Sequence, residues 1–477
     1  MKSRNYIFLL CVLFFLFISS CKKLVTIDPP INTVTTQEVF KDSINAQAAF
    51  GGLYSSMIPT TLYCMDGALS IISGESADEL VPFASSGDLM YNNAIISSNA
   101  GPSSYFWIPT YQYIYKANSI LGGVQASTGI SSTAKAGFLA EAKFLRALYY
   151  FYLINLFGNV PYLTSIDFNI TKLTFRTPIT QVYGQITSDL KEAESVLPSD
   201  YSNYGNDRIR STRWAAAALL ARVYLYNDKW DSAEMESTSV INNSGLFTLD
   251  SDLTKVFLKK SLGNNEAILQ WQLNTQTGTA TAEGRTLIPN NAPNNKPSYY
   301  LSQQLLAAFE PGDKRKVAWV NSTQYGTPSI TYYFPYKYKI GQVQSVPGGA
   351  SSEYTTVLRL AEQYLIRAEA RAWQNNVDGA IADLNVVRAR AGLTPIANGL
   401  TQSQVLAAVT RENRIEFFAE WGHRWLDLKR TGQVDSVMNI ATPLKGQGTL
   451  WKSYQQLYPI PLSELQNDPN LTQNPGY

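Results

Sequence analysis

The chain has one histidine and three cysteines in 477 residues, so it is poor in the side chains that most often bind transition metals. His423 stands beside Arg424 with no second histidine and no nearby cysteine, which makes it a structural histidine rather than a metal ligand. No HExxH, GxSxG, phosphate-binding P-loop or paired CxxC occurs anywhere. The chain therefore carries no recognisable catalytic residues, no metal site and no implied cofactor. An excess of one charge is also missing: 39 basic residues face 37 acidic ones. That balance excludes nucleic acid as a partner, which needs a basic surface, and excludes electrostatic adhesion to a membrane. Beyond the first 20 residues no apolar run approaches the length of a membrane span.

The first 20 residues differ from the rest. Lys2 and Arg4 precede an apolar stretch from Ile7 to Phe17, and Ser19 and Ser20 follow. This is the anatomy of a secretory signal, too short and wrongly flanked for a stable span. Ile18-Ser19-Ser20-Cys21 resembles a lipobox, with Cys21 as the lipidated first residue of the mature chain. Lipid tails would hold the protein on a membrane by burying methylenes, each worth about 0.8 kcal/mol. Removing the signal takes away Lys2 and Arg4 and leaves 37 basic residues against 37 acidic ones. It also takes Cys11, so Cys64 is left alone and no intramolecular disulfide is possible. The fold must rest on its core, for which 45% hydrophobic and 12% aromatic residues suffice.

Residues 21–36 read as a tether, Pro- and Thr-containing and aperiodic. A first helix is expected over 43–57, then a long irregular stretch from Pro59 to Ser104. Helical periodicity then recurs in pairs. Residues 133–156 place Phe138, Ala142, Leu145, Tyr149, Tyr152 and Leu156 on one face, and Gly158 and Pro161 end the helix. Helices over 178–197, 211–226 and 230–243 follow, then a pair over 355–374 and 377–391. Alanines at matching positions, such as Ala361, Ala368 and Ala372 opposite Ala380 and Ala391, let two helices approach closely. Small residues on one face and aromatics on the other are the pattern of tetratricopeptide-like helix pairs. The interruption over 246–354 holds a short strand at 267–271, a loop over 273–298 and a helix near 299–309. An alternating aromatic stretch at 331–340 follows, which Pro335 confines to a sheet edge. The expected fold is mainly α: a tetratricopeptide-like helix-pair scaffold over about 37–245 and 355–430. It carries an inserted irregular, loop-rich lobe with a few short strands, and ends in a segment over 431–477.

Several segments carry a resemblance. They are Glu141-Ala-Lys-Phe-Leu-Arg-Ala-Leu-Tyr-Tyr150 with Leu156-Phe-Gly-Asn-Val-Pro161, Ala216 to Leu225, and Leu358 to Ala370. Leu384 to Gly392, Arg411 to Glu420, Arg424-Trp-Leu-Asp-Leu-Lys-Arg430 and Tyr458-Pro-Ile-Pro-Leu-Ser-Glu-Leu follow, with Leu471-Thr-Gln-Asn-Pro-Gly-Tyr477 closing the chain. In this order, behind a lipobox, they resemble the SusD/RagB family of nutrient-binding lipoproteins. The resemblance implies an outer-membrane location, held by the N-terminal lipid and facing the cell surface. It implies a SusC-like TonB-dependent transporter as partner, over which the lipoprotein sits as a lid, and a glycan as ligand. It implies capture without catalysis. Peptides or glycopeptides are an alternative ligand class, and a protein-gripping helical scaffold is an alternative role. Lys22 and Lys23 depart from the acids that surface-exposed members often carry after the lipidated cysteine.

Glu412, Glu416 and Glu420 share a helix face, with Arg411, Arg414 and Arg424 interleaved, which favours ion pairs between helices over acid–base chemistry. Arg146, Glu362, Arg367, Glu369, Arg388 and Arg390 read the same way. Trp107 begins a helix-like spacing and reads as core. A sugar site needs exposed aromatic faces rimmed by groups that both donate and accept hydrogen bonds. Two irregular segments supply that mixture, and in the resembling family they occupy the places from which ligand contacts come. The expected contacts are Asp66, Asp78, Phe83, Tyr91 and Asn92 from the first, and Arg285, Asn291, Asn294, Tyr299 and Tyr300 from the second.

Overall fold

A computed structural model describes residues 36–59, 62–85, 87–276, 278–290, 296–446 and 448–477. The signal, Cys21 and the tether up to residue 35 lie outside the described residues, as do Asn291 and Asn294. No described helix is long and apolar enough to cross a membrane.

The chain enters through a single helical turn, α1 (Thr36–Val39), and α2 (Ser43–Met57), whose first turn is capped by Asp42 accepting from the Asn45 N–H at 2.8 Å. A helix, α3 (Ala68–Ser76), then lies where the sequence pattern implied only loop. A π-helical turn (Pro102–Trp107) runs directly into α4 (Ile108–Ala126), with Trp107 buried as expected. The scaffold continues with α5 (Ser132–Phe157), α6 (Ile179–Val196), α7 (Arg213–Leu225) and α8 (Trp230–Ile241). Ser131 caps the start of α5, and Gly158, at φ 75°, ends it. Each of these helices packs on the next. Every residue of α7 from Ala215 to Leu225 is buried, so this helix is apolar all round rather than striped.

After the interruption come α9 (Leu360–Trp373), α10 (Val377–Arg390), α11 (Gln402–Glu416), α12 (His423–Arg430) and α13 (Val434–Ala441). Helix α9 packs against both α10 and α8. The segment between α8 and α9 is therefore inserted between two spatial neighbours, and the helical array is continuous across it. Three expectations need correction there. The loop expected over 273–298 contains a short helix, Ala282–Leu287, capped by Thr281 accepting from the Gly284 N–H at 3.0 Å. Thr355–Arg359 is not the first turn of a helix but a buried strand antiparallel to Ala267–Trp271; its β-branched Thr355, Thr356 and Val357 suit a strand buried on both faces. The helix placed near 299 begins only at Gln303, after a strand at Tyr299–Leu301, with Ser302 capping it by accepting from the Leu305 N–H at 3.1 Å.

Buried ion pairs tie the lobe to the scaffold. The Glu416 carboxylate takes hydrogen bonds from Arg315, Arg359 and Arg390. Burial alone would raise its pKa, but Arg390, Arg359 and Arg315 together hold it well below the usual carboxylate range. Glu412 pairs with Arg315 and Arg388, and Glu420 with Arg359 and Lys337. The three glutamates make structural ion pairs, but only Glu412 and Glu416 lie on α11; the helix ends at Glu416 and Glu420 falls in the turn beyond it, and their partners are not the interleaved Arg411, Arg414 and Arg424. The same structural role holds for Arg146 on Asp189, Glu362 on Arg222, Arg367 on Asp383 and Glu369 on Arg430. His423 is half-buried with its ring stacked on Phe417 at 4.5 Å; desolvation drives its pKa well down, with nearby arginines adding to the shift.

Candidate ligand-binding site

Leu80–Pro82 pairs antiparallel with Tyr299–Leu301, so the two irregular segments of the sequence meet in one ribbon. Val81 faces Tyr300, and the Phe83 N–H donates to the Ser298 carbonyl at 2.9 Å. Side chains alternate along a strand, so Val81, Phe83 and Tyr300 share one side of the ribbon while Tyr299 and Leu301 share the other. Leu80 and Leu301 are buried in the core, and Tyr299 packs against it. Phe83 and Tyr300 instead meet a hairpin of Val320–Tyr325 and Ile330–Pro335.

Four half-buried rings result. The Phe83 ring lies 5.4 Å from Tyr325 and 5.5 Å from Tyr332, and Tyr300 lies 5.0 Å from Tyr332, all edge-on or tilted. Such geometries are the favourable ones for ring quadrupoles. The Lys296 ammonium stands 4.6 Å from the centre of the Phe83 ring. None of the hydroxyls of Tyr300, Tyr325 and Tyr332 is hydrogen-bonded among the described residues. The cluster thus offers apolar ring faces rimmed by uncommitted hydroxyls and an ammonium. Tyr91, whose ring carries the Lys445 ammonium at 5.1 Å, sits within electrostatic reach of Tyr300 but is itself buried.

The polar half of the expected site goes elsewhere. Asp78 is buried and held by Arg414 and Arg424. Asp66 is fully buried beside Arg285, whose Nη2 lies 3.5 Å from its carboxylate. Burial pushes Asp66 well above the carboxylate range, and Glu283 adds to the shift. Arg285 itself donates to the Ala280 and Pro59 carbonyls. Asn92 is buried, with its amide donating to the Ser85 and Asp88 carbonyls. These residues shape the two loops from within and do not reach the aromatic surface. Phe83 and Tyr300 do reach it, joined by Lys296, Tyr325 and Tyr332, which sequence reasoning did not single out. The alternating aromatics at 331–340 were the signal for Tyr332; Tyr325 lies on a strand, VNSTQY, too polar to show one.

A groove of 1050 Å³ opens elsewhere, on the scaffold, lined by Tyr111, Tyr115, Leu163, Phe168 and Leu173 among others. Its wall is mostly apolar and contains none of the expected contacts, so it matches a hydroxyl-rich ligand less well than the ring cluster does. No group of three or more His, Cys, Asp or Glu able to hold a metal ion is found among the described residues.

Comparison with known proteins agrees with this architecture. Residues 308–477 match the SusD family, and residues 44–225 match the family described as "Starch-binding associating with outer membrane". SusD-like protein P25 of Formosa agariphila is 27% identical over the whole of both chains. Starch-binding protein SusD of Bacteroides thetaiotaomicron is 37% identical over 123 residues, 25% of this chain and 21% of its own. Among solved structures, a laminarin binding SusD-like protein superposes with a TM-score of 0.75 at 28% identity, over 92% of this chain and all of that one.

Proposed function

We propose, from the premise that the chain belongs to the SusD/RagB family, that it is a non-catalytic glycan-binding protein of the outer membrane. It is held there by a lipid on Cys21, faces the cell surface and passes its ligand to a SusC-type TonB-dependent transporter. The observation that carries the ligand class is the cluster of Phe83, Tyr300, Tyr325 and Tyr332. Flat apolar faces suit the faces of pyranose rings, and the unengaged phenol hydroxyls suit their rims. The names of the relatives, one starch-binding and one laminarin-binding, support the same class.

Affinity electrophoresis of the soluble body lacking Cys21, through gels containing laminarin, starch or other polysaccharides, tests the reading. Retardation by at least one neutral polysaccharide is expected. Free migration through every gel, with peptides bound instead, would replace the ligand class and leave the family intact.

A further inference from the structure

We propose a second ligand site on the helical scaffold, distinct from the ring cluster, that takes a single neutral sugar ring or a disaccharide. It is a recess of 360 Å³ between α2, the segment leading into α7 and the end of the Ala267–Trp271 strand. Gln47, Gly51, Tyr54, Tyr204, Arg210 and Gln272 contribute to its lining. The volume lies at the low end of the range in which small ligands are bound.

Three observations point to an occupant. The first is Gly51. It and Gly52 lie inside α2, where glycine is unfavourable relative to alanine. A Cβ at either position would meet no described atom within 4 Å, so the packing of the described residues does not require glycine. At Gly51 the bare helix backbone is the wall of the recess. The second is Arg210. Its Nε and Nη2 are both committed to Glu141, at 2.5 Å each, and the Tyr54 hydroxyl donates to the same carboxylate at 2.7 Å. Its Nη1 makes no hydrogen bond among the described residues and is not shut off from solvent, so it is open to the recess. The third is the pair of rings, with Tyr54 and Tyr204 at 5.0 and 5.1 Å from the guanidinium carbon.

Together these choose the chemistry. Glu141 already neutralises Arg210, so the site favours no anion. What remains is a donor open to the recess, the two phenol rings beside it, and the further hydrogen-bonding capacity of the Gln47 and Gln272 amides, of which Gln47 already bonds Tyr204 and Gln272 donates to the Tyr354 hydroxyl at 3.4 Å. That is the complement of a neutral sugar ring.

The site shares no residue with the ring cluster, so the two can be separated. Saturation-transfer NMR would be run with maltose and laminaribiose on the Tyr300→Ala/Tyr332→Ala protein. Transfer from at least one disaccharide is expected on that background. Gly51→Leu, which fills the recess, should weaken it by about tenfold. Gly51→Ala, which meets no neighbour and favours the helix, should weaken it to a lesser but measurable extent with the melting temperature kept or raised. No transfer from either disaccharide, or transfer indifferent to both Gly51 variants, overturns the proposal. Disaccharide transfer that depends on Gly51, in a protein that no polysaccharide retards, would support this site while removing the proposed role of the ring cluster.

Discussion

The Asp78 carboxylate accepts two hydrogen bonds from the Arg424 guanidinium, at 2.7 and 2.9 Å, and both side chains are buried. Arg414 donates a third at 2.7 Å. This knot fastens the segment that carries Phe83 to α11 and α12. Removing one partner of a buried pair leaves an uncompensated charge, which typically costs about 3–5 kcal/mol. Asp78→Ala is therefore expected to lower the free energy of unfolding in urea by an amount in that range. Burial alone would raise the Asp78 pKa, but Arg424 and Arg414 hold it below its ordinary value. Its contribution is thus present above the unfolded carboxylate pKa and is lost as pH falls through the folded one. The deficit of the variant should shrink in acid; a deficit that stays constant down to the lowest pH at which the protein folds would contradict the assignment.

Glu79, next in the chain, behaves in the opposite sense. Its Oε2 accepts from the Ala419 N–H at 3.2 Å while Oε1 has no partner, and burial pushes its pKa up to about 8. The folded state keeps a proton that the unfolded chain has lost. The stability this provides is complete below the unfolded value of 4.5 and declines as pH rises through about 8. Glu79→Gln removes the titration. Unfolding free energies from urea titrations should show the two proteins nearly equal near pH 5 and the variant ahead by about a few kcal/mol near pH 9. Parallel curves for the two proteins across that range would refute the buried proton.

How far the fold could be read in advance depended on periodicity. Helices α5 to α8 have one apolar face or alanine-rich sides and clear stops, such as Gly158 and Pro161, so their limits were legible within a residue or two. Helix α3, Ala-Leu-Ser-Ile-Ile-Ser-Gly-Glu-Ser, was not, because every one of its residues is buried and no face alternation survives. Thr355–Arg359 was absorbed into the following helix because it joins α9 without a break. At the site, the aromatic contributors Phe83 and Tyr300 were legible from the composition of their loops. The fates of Asp66, Asp78 and Asn92 were not, since Asp78 is claimed by Arg414 and Arg424 from far along the chain and Asp66 by Arg285. A polar residue in a loop looks the same in sequence whether it meets a ligand or an internal partner.

Gly129, between α4 and α5, marks where the chain entering the body is clamped. A Cβ there would stand 1.9 Å from the Lys41 carbonyl oxygen, a backbone atom that cannot swing aside. Gly129→Ala is expected to destabilise the protein by about 1–3 kcal/mol, the usual cost of overpacking. It should also speed proteolysis near Lys41. A melting temperature unchanged from the parent would show that the entering segment yields freely.

The central claim is that the rings of Phe83, Tyr300, Tyr325 and Tyr332 grip a glycan. Calorimetric titration of the soluble body and of Tyr332→Ala with the same neutral oligosaccharide tests it most directly. Tyr332 is half-buried and touches both Phe83 and Tyr300, so its loss should break the platform while leaving the core unaffected. Binding by the parent protein is expected, with a loss of about tenfold or more in the variant at unchanged thermal stability. Equal affinity in the two proteins would contradict it.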